Sequence, residues 1–510
     1  MLKYKFYVIR FQYIMLLLTI LALPIFGLTK RLQFLPLGGK LSYHFAMLGI
    51  IALGIEWLFF RFKFDYRIKS FLLIFISWQL LSLAFGLYHY PYYQEINWQE
   101  SEKLSRLVEF SITHNLDYLD LNNIEAVWLG IRVVKDALIN FIFTFGVSVW
   151  IIHLFHDSFS IGFITIRKCI LILTIALGIY AIPEILLFKF KMDIGYDILS
   201  VTNAFLYDIG GYLDWYPPLI WLNEQVRSYC TEPAIFGGLA ATIIPMLWSY
   251  CREEFKISAL YVYFIMLLFM TKSRTSNAIA IFSSFWLVLG CFNNKIRKWS
   301  IVLIVLTVLG FALNIGLNFV PVASNSHQEG TDSYFDNNIK SIVEKDSRSN
   351  GSRLINIIGH INVIQDHWLV GVGRGLEACY VRDNLPDNAY SNDEIVSITK
   401  EIDEKGPLTG TSYGNVNNFI YIFTNEGCIG LVIYLLPFIY ALWMVFKLRL
   451  WRDNRYIFIS IAILGNLLSE MAGEGGMLLY IMLGLLYVGI QENKHSVIQE
   501  SSEIVENCKR

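Results

Sequence analysis

Three arginines border apolar segments of the chain and are suited to binding phosphate. They are Arg227, Arg274 and Arg353. Arginine presents a planar fork of N–H groups that matches phosphate oxygens. A single arginine beside a membrane segment more often reaches for lipid headgroups. Three of them on one side, within the motifs described below, predict a site for an anionic group at the outer membrane surface.

Two further basic residues are candidate ligands for the same group. Lys272 precedes Arg274 in the short connection Lys272-Ser273-Arg274-Thr275, and it is a candidate second phosphate contact. Arg374 lies in the turn Gly371-Val372-Gly373-Arg374-Gly375. This turn follows a predicted helix rather than a strand, and its glycine spacing is wrong for dinucleotide binding. We therefore expect a tight turn that presents Arg374.

An acid and two histidines are candidates for moving a proton. Glu232 precedes Pro233 at the start of an apolar segment. It is either a general base or acceptor for sugar hydroxyls, or a partner of the helix dipole. His360 and His367 lie in a predicted surface helix, and His327 lies in the polar stretch before it. Each histidine is either a base or a residue of a polar face.

The composition is that of an integral membrane protein. Of 510 residues, 55% are hydrophobic and 16% are charged, whereas soluble proteins carry about 25% charged residues. The net charge of -1 argues against a nucleic-acid partner. We expect the lipid bilayer to be the protein's main surroundings.

Apolar stretches long enough to cross a bilayer recur along the chain, and a span needs about 20 residues. About twelve are predicted, near 11–28, 41–60, 71–88, 137–155, 169–187, 233–250, 257–271, 277–292, 299–320, 417–446, 456–470 and 475–490. The predicted fold class is therefore an all-α polytopic membrane protein.

Basic residues concentrate in the short loops on one side, which the positive-inside rule assigns to the cytoplasm together with both chain ends. Residues 1–320 then hold nine membrane helices with outer loops near 89–136 and 188–232. Residues 321–416 form a large outer loop, residues 417–490 form the last membrane helices, and residues 491–510 form a disordered cytoplasmic tail.

The large outer loop contains an amphipathic pattern. Its apolar residues recur at helical spacing and are Leu354, Ile357, Ile358, Ile361, Ile364 and Trp368. We expect a helix that lies on the membrane surface with this face down and that ends before Gly371.

Several common catalytic motifs are absent from the sequence. It has no P-loop, no His-Glu-x-x-His, no Gly-x-Ser-x-Gly and no cysteine cluster with metal-ligand spacing. We therefore expect no cofactor and no metal.

The order of the motifs resembles that of the O-antigen ligase / Wzy-type polysaccharide polymerase family. The resemblance covers roughly residues 200–440. It rests on Arg227 with Glu232-Pro233, on Ser273-Arg274, on Gly351-Ser352-Arg353 with the surface helix, on Asp366-His367-Trp368-Leu369-Val370-Gly371-Val372-Gly373, and on Asn417 with Asn425 and Gly427-Cys428-Ile429-Gly430.

The chain departs from the family pattern at two positions. When Gly427 and Gly430 are aligned, the family's histidine falls at Val416 and its glutamate falls at Asn425. The histidine is the proposed base in the ligases, so its absence favours a polymerase. Glu232, His360 or His367 can take the role of base.

The resemblance implies a metal-independent glycosyltransferase of the GT-C type in the bacterial inner (plasma) membrane. The donor would be an oligosaccharide repeat unit on undecaprenyl pyrophosphate at the periplasmic face, with Arg227, Lys272, Arg274, Arg353, Arg374 and Asn417 as substrate-binding residues. A chain-length regulator and a flippase are the implied protein partners.

We predict polymerisation of O-antigen, capsule or exopolysaccharide repeats. One alternative is an O-antigen ligase that transfers the glycan to lipid A–core. An alternative of another class is a lipid-linked oligosaccharide flippase or transporter, which would show charges deep inside several spans and symmetry between its halves.

Overall fold

The computed structural model describes residues 2–60, 65–100, 102–116, 121–210, 217–221, 224–290, 297–318, 348–406, 413, 416–473 and 476–509. His327 and the start of the predicted outer loop lie outside these residues. In chain order the helices are α1 (Leu2–Ala22), α2 (Leu41–Phe60), α3 (Tyr66–Tyr88), α4 (Glu102–Thr113), α5 (Leu121–Phe141), α6 (Val147–Leu154), α7 (Phe159–Phe190), α8 (Asp193–Leu206), α9 (Pro233–Cys251), α10 (Ser258–Met270), α11 (Arg274–Gly290), α12 (Arg297–Asn318), α13 (Arg348–His367), α14 (Glu377–Asp383), α15 (Asp393–Lys405), α16 (Asn418–Lys447), α17 (Asn454–Glu470) and α18 (Met477–Lys509).

Each predicted apolar segment forms a helix, and the described part of the chain contains no strand. A π-helical turn, Ile142–Gly146, joins α5 and α6 into one span. Within the described residues, eight spans are long and apolar enough to cross a membrane: α1, α2, α3, α5 with α6, α7, α9, α12 and α16. The all-α polytopic membrane class is therefore confirmed.

The other four apolar helices are too short or too polar to meet that standard. α10, α11 and α17 have 13, 17 and 17 residues, fewer than the about 20 that a span needs. The apolar part of α18 is buried among its neighbours, with Leu479, Ile481 and Met482 fully enclosed. The helices α10 and α17 and the apolar part of α18 therefore lie mostly inside the bundle, whereas α11 also exposes Ile281 (67%) and Phe285 (56%).

The helix α18 runs through the segment predicted to be a disordered tail, as far as Lys509. Residues 491–509 contain no glycine and no proline, so nothing in their sequence breaks a helix that enters from the bundle. The expectation of a disordered tail is corrected accordingly.

A second hydrophobic core lies outside the bundle. It brings together Leu104 of α4, Val363 of α13, Cys379 of α14 and Ile395 of α15. The outer loops near 89–136 and 348–413 are far apart in sequence, and this core packs them into one outer layer. That layer positions the arginine and histidine residues of α13.

The helix α13 forms as the periodicity predicts and ends at His367. Leu354, Ile361 and Trp368 recur every seven residues on it and are 45%, 42% and 56% exposed. Ile355 and Val363 point instead into the outer core. The exposed apolar stripe is suited to contact with lipid, and that contact stays a prediction.

Candidate functional site

The glycine turn after α13 inserts into a break in α16. Gly427 interrupts α16 with φ +68 and ψ -175, and Gly371 has φ +78. A Cβ at Gly427 would lie 2.1 Å from the Leu369 oxygen, and one at Gly371 would lie 2.4 Å from the Asn425 oxygen. Only glycine permits these backbone conformations at such close approach.

The turn takes up the hydrogen bonds that the break in α16 releases. Val372 N donates to Thr424 O at 3.0 Å, and Gly373 N donates to Asn425 O at 2.9 Å. Without the break, α16 amides would reach these carbonyls. An unpaired backbone group is not tolerated inside a membrane, so turn and break stabilise each other.

The turn also carries Arg374 to a buried carboxylate that the sequence analysis missed. Arg374 Nη1 donates to Glu426 Oε1 at 3.1 Å, and Gln79 Nε2 donates to the same oxygen at 2.8 Å. Glu426 is 2% exposed. An acid inside an apolar span is itself a functional signal, but aligning the glycines directed attention to Asn425, one residue earlier.

Arg353 and Arg274 come together from separate elements. Arg353 is exposed near the start of α13, and Arg274 is half-buried ahead of the apolar part of α11. Burial lowers the pKa of Arg274, and the positive charge of Arg353 lowers it further. The positive charge of Arg353 therefore acts on Arg274, and an anionic ligand between the two guanidinium groups would relieve that repulsion.

His360 occupies the neighbourhood of Val416. The two residues line the same small pocket together with Asn356, Ile357 and Asn417. His360 Nδ1 lies 2.9 Å from the Asn356 carbonyl oxygen. Because a carbonyl only accepts, Nδ1 carries the proton and the neutral ring keeps the lone pair of Nε2. Burial lowers the pKa of His360, which favours that neutral form.

Arg353 and His360 share one face of α13. Ile357 lies between them at helical spacing and lines the His360 pocket. Seven residues along a helix correspond to about 10 Å. Arg353 is exposed and His360 is 4% exposed, so this helix face runs from the outer surface at Arg353 to the buried pocket at His360.

A polar cavity of about 310 Å³ lies beneath this surface. Arg374, Glu426, Glu470, Asn418 and Lys40 supply its charged and amide groups. Aromatic rings and the π-helical turn supply further walls, namely Tyr43, Phe143, Phe145, Tyr434 and Tyr480.

The polar cavity and the His360 pocket are neighbours in the structure. Tyr421 lines both of them. The two spaces therefore share one side chain of α16.

Arg227 lies apart from this surface in a fully buried position. Its guanidinium donates to the carbonyl oxygens of Thr231 (2.9 Å), Pro218 (2.8 Å) and Leu219 (3.1 Å). Its positive charge acts on the buried carboxylate of Glu184. These contacts fold the outer loop before α9, so the structure does not bring Arg227 together with Arg274 and Arg353 as an open phosphate cradle.

The remaining candidate residues lie at helix ends or in the outer core. Asn417 caps α16, accepting from Phe419 N at 3.0 Å and Ile420 N at 3.2 Å. Glu232 is the N-cap residue of α9, although its side chain makes no capping hydrogen bond.

The structure places His367 against an aromatic ring and Lys272 in a left-handed backbone conformation. His367 packs edge-on against Tyr380, with ring centroids 5.3 Å apart, and burial lowers its pKa. Lys272 has a left-handed backbone, φ 50, in the connection before Arg274. Of the candidate bases, His360 alone lines a pocket beside the position of the family's histidine.

Comparison with known proteins agrees with this arrangement. The family model described as O-antigen ligase matches residues 259–435, a range that includes Arg274, Arg353, His360, Arg374 and Glu426. No curated protein matches the chain. Over residues 259–435, about a third of the chain, the protein is therefore similar to the O-antigen ligase / Wzy-type family.

Proposed function

We propose that this protein polymerises oligosaccharide repeat units linked to undecaprenyl pyrophosphate, at the periplasmic face of the bacterial inner membrane. The observation that carries the proposal is the meeting of Arg274 and Arg353 on the helix face that also holds His360. Similarity over residues 259–435 to a family of O-antigen ligases and related polymerases supports glycosyl transfer over transport by a flippase.

The chemistry is a substitution at the anomeric carbon of the donor sugar. The acceptor hydroxyl loses its proton to His360 Nε2 as its oxygen bonds to that carbon. The bond between the carbon and the pyrophosphate oxygen breaks, and undecaprenyl pyrophosphate leaves. Arg274 and Arg353 stabilise the negative charge that develops on the leaving group. The donor is already activated, so no nucleotide takes part.

The polar cavity is suited to the glycan part of the substrate. Carboxylates and amides such as Glu470 and Asn418 accept and donate hydrogen bonds to sugar hydroxyls. Tyr43 and Phe143, whose rings stack on each other 3.9 Å apart, form an apolar part of the cavity wall. Lys40 and Arg374 would accommodate acidic sugars or keep the site attractive to anions.

Transfer of finished polymer to lipid A–core is the second candidate function. The sequence argument against a ligase was that Val416 replaces the family's histidine. His360 lines the pocket beside Val416, so a histidine is present there from another element. That observation, with the family's description as O-antigen ligase, keeps ligation open.

Deletion of the gene, followed by gel analysis of surface glycans, separates these functions. Loss of a polymerase leaves core carrying a single repeat unit. Loss of a ligase leaves bare core while lipid-linked polymer accumulates. Single units trapped on the cytoplasmic side would contradict both and indicate a flippase.

Purified protein in proteoliposomes provides the direct test. With lipid-linked repeat units as the only substrate, a polymerase makes longer lipid-linked chains and releases undecaprenyl pyrophosphate. If extension occurs only after lipid A–core is added, the protein is a ligase. A chain-length regulator added to the same vesicles should change product length without being required for the reaction.

A further inference from the structure

An apolar cavity lies on the other side of Phe145 from the polar cavity. Its volume is about 260 Å³, and Phe145 lines both spaces. Its walls come from α3, α6, α16 and α18 and include Leu72, Val149, Leu436 and Leu483. The cavity lies between four spans, so the fitting occupant is a hydrocarbon chain.

The end of this cavity away from the polar cavity carries two cations. Arg67 Nη1 donates to the Tyr440 hydroxyl at 3.3 Å, and Lys494 Nζ donates to the same hydroxyl at 2.7 Å. Arg67 and Tyr440 both line the cavity. Two positive groups thus converge on one neutral oxygen.

The nearby acid is occupied by other partners. Asp65 accepts from the Tyr487 hydroxyl at 2.9 Å and from Gln491 Nε2 at 2.7 Å, and it also caps α3 through Arg67 N at 2.9 Å. Arg67 and Lys494 outnumber this carboxylate, so the mouth of the cavity has a net positive charge.

We propose that this cavity binds one acyl chain of an anionic phospholipid from the cytoplasmic leaflet, with its phosphate on Arg67 and Lys494. The apolar walls match the chain, and the paired cations match the headgroup. Arg67 lies at the start of α3, Lys494 lies midway along α18, and Tyr440 lies near the end of α16, all away from the ends where Asn418 and Met477 begin their helices. The site is therefore distinct from the donor site, and the inference does not rest on the proposed function.

Native mass spectrometry of the full chain in detergent tests the proposal. Phosphatidylglycerol and phosphatidylcholine with the same acyl chains are the two probes. We expect the wild-type protein to retain phosphatidylglycerol preferentially. The double variant Arg67→Gln, Lys494→Gln should bind it about tenfold more weakly, whereas Lys69→Gln, an exposed cation on the same turn of α3, should not.

A second pair of variants tests the cavity without changing charge. Leu436 is 51% exposed and lines the cavity, and Ile439 is 60% exposed on the same helix without lining it. Leu436→Trp should reduce retention of phosphatidylglycerol several-fold, and Ile439→Trp should leave it unchanged.

Three results would overturn the proposal. One is equal retention of the two lipids by the wild-type protein. Another is equal binding by Leu436→Trp and Ile439→Trp. The third is displacement of phosphatidylglycerol by one equivalent of undecaprenyl phosphate, which would assign the cavity to a polyprenyl tail.

Discussion

Arg374 and Glu426 form an ion pair, with 3.1 Å between Nη1 and Oε1, that joins the glycine turn to the broken helix α16. The side chain of Glu426 is 3% exposed and that of Arg374 is 18% exposed. The pair lies within a polar cavity and beneath the surface that carries Arg353 and His360. It therefore couples the glycine turn of the outer layer to the bundle.

Removing one partner of this ion pair should lower the stability of the protein more than replacing both partners. Arg374→Ala leaves a buried carboxylate without its cation, so we expect a loss of roughly 3 kcal/mol in stability. The double variant Arg374→Met, Glu426→Gln should recover most of that loss. Thermal unfolding of the purified protein, analysed as a double-mutant cycle, measures the coupling; additive effects would mean that the pair does not lock the turn.

Gly427→Ala should undo the docking of the turn. The new Cβ would meet the Leu369 oxygen at 2.1 Å, in a backbone conformation that alanine disfavours. We expect a loss of several kcal/mol and easier proteolysis after α13. Gly54→Ala in α2 is the matched control, because nothing lies within 4 Å of its Cβ. Equal melting temperatures of these two variants would contradict the docking argument.

The helices were predictable because apolar length and helical periodicity are local properties of the sequence. The segment from Leu354 to Trp368 forms α13 as its pattern predicts. The role of Arg227 was not predictable in this way. Its burial depends on carbonyls of Pro218, Leu219 and Thr231, and only the folded loop brings these together.

The candidate site was predictable only where it depends on local properties of the sequence. Arg274 and Arg353 stand out as cations beside apolar segments, whereas the effect of one charge on the other depends on the tertiary structure. Glu426 was overlooked because aligning the glycines places the family's glutamate at Asn425, one residue earlier. The nearness of His360 to Val416 is a tertiary contact that no spacing in the sequence contains.

Arg227→Ala should impair folding before it impairs catalysis. The substitution leaves three carbonyls without their donor and removes the charge that offsets Glu184. We expect a loss of about 3 kcal/mol or more and little monodisperse protein in fluorescence-detected gel filtration. A normal elution profile and melting temperature with no chain extension would instead place Arg227 in the substrate site.

Arg353→Ala should slow catalysis while leaving the stability of the protein nearly unchanged. Arg353 is exposed on α13, so its truncation should change stability by less than about 0.5 kcal/mol. Loss of one cation facing the pyrophosphate should slow transfer by roughly 100-fold or more. Product chain length in proteoliposomes measures the effect, with Arg106→Ala, an exposed outer-layer arginine, as control. Wild-type chains from both Arg353→Ala and Arg274→Ala would exclude the cation pair from the reaction.

The pH dependence of transfer should report on His360. Burial lowers the pKa of His360 below the about 6.5 of an exposed histidine. A general base acts only when unprotonated, so the rate should fall as pH drops through this lowered pKa. The midpoint of the acid limb in kcat/KM is therefore expected below about pH 6.5.

His360→Gln should remove that acid limb and lower kcat by roughly 100- to 10,000-fold. His367→Gln is the matched control, because His367 lies on the same helix, its pKa is also lowered by burial, and it packs on Tyr380 instead of lining the Val416 pocket. The His367→Gln variant should retain both the transfer rate and the acid limb of the pH profile. If the limb survives in His360→Gln and disappears in Glu232→Gln, the base is Glu232, and His360 only fills the space beside Val416.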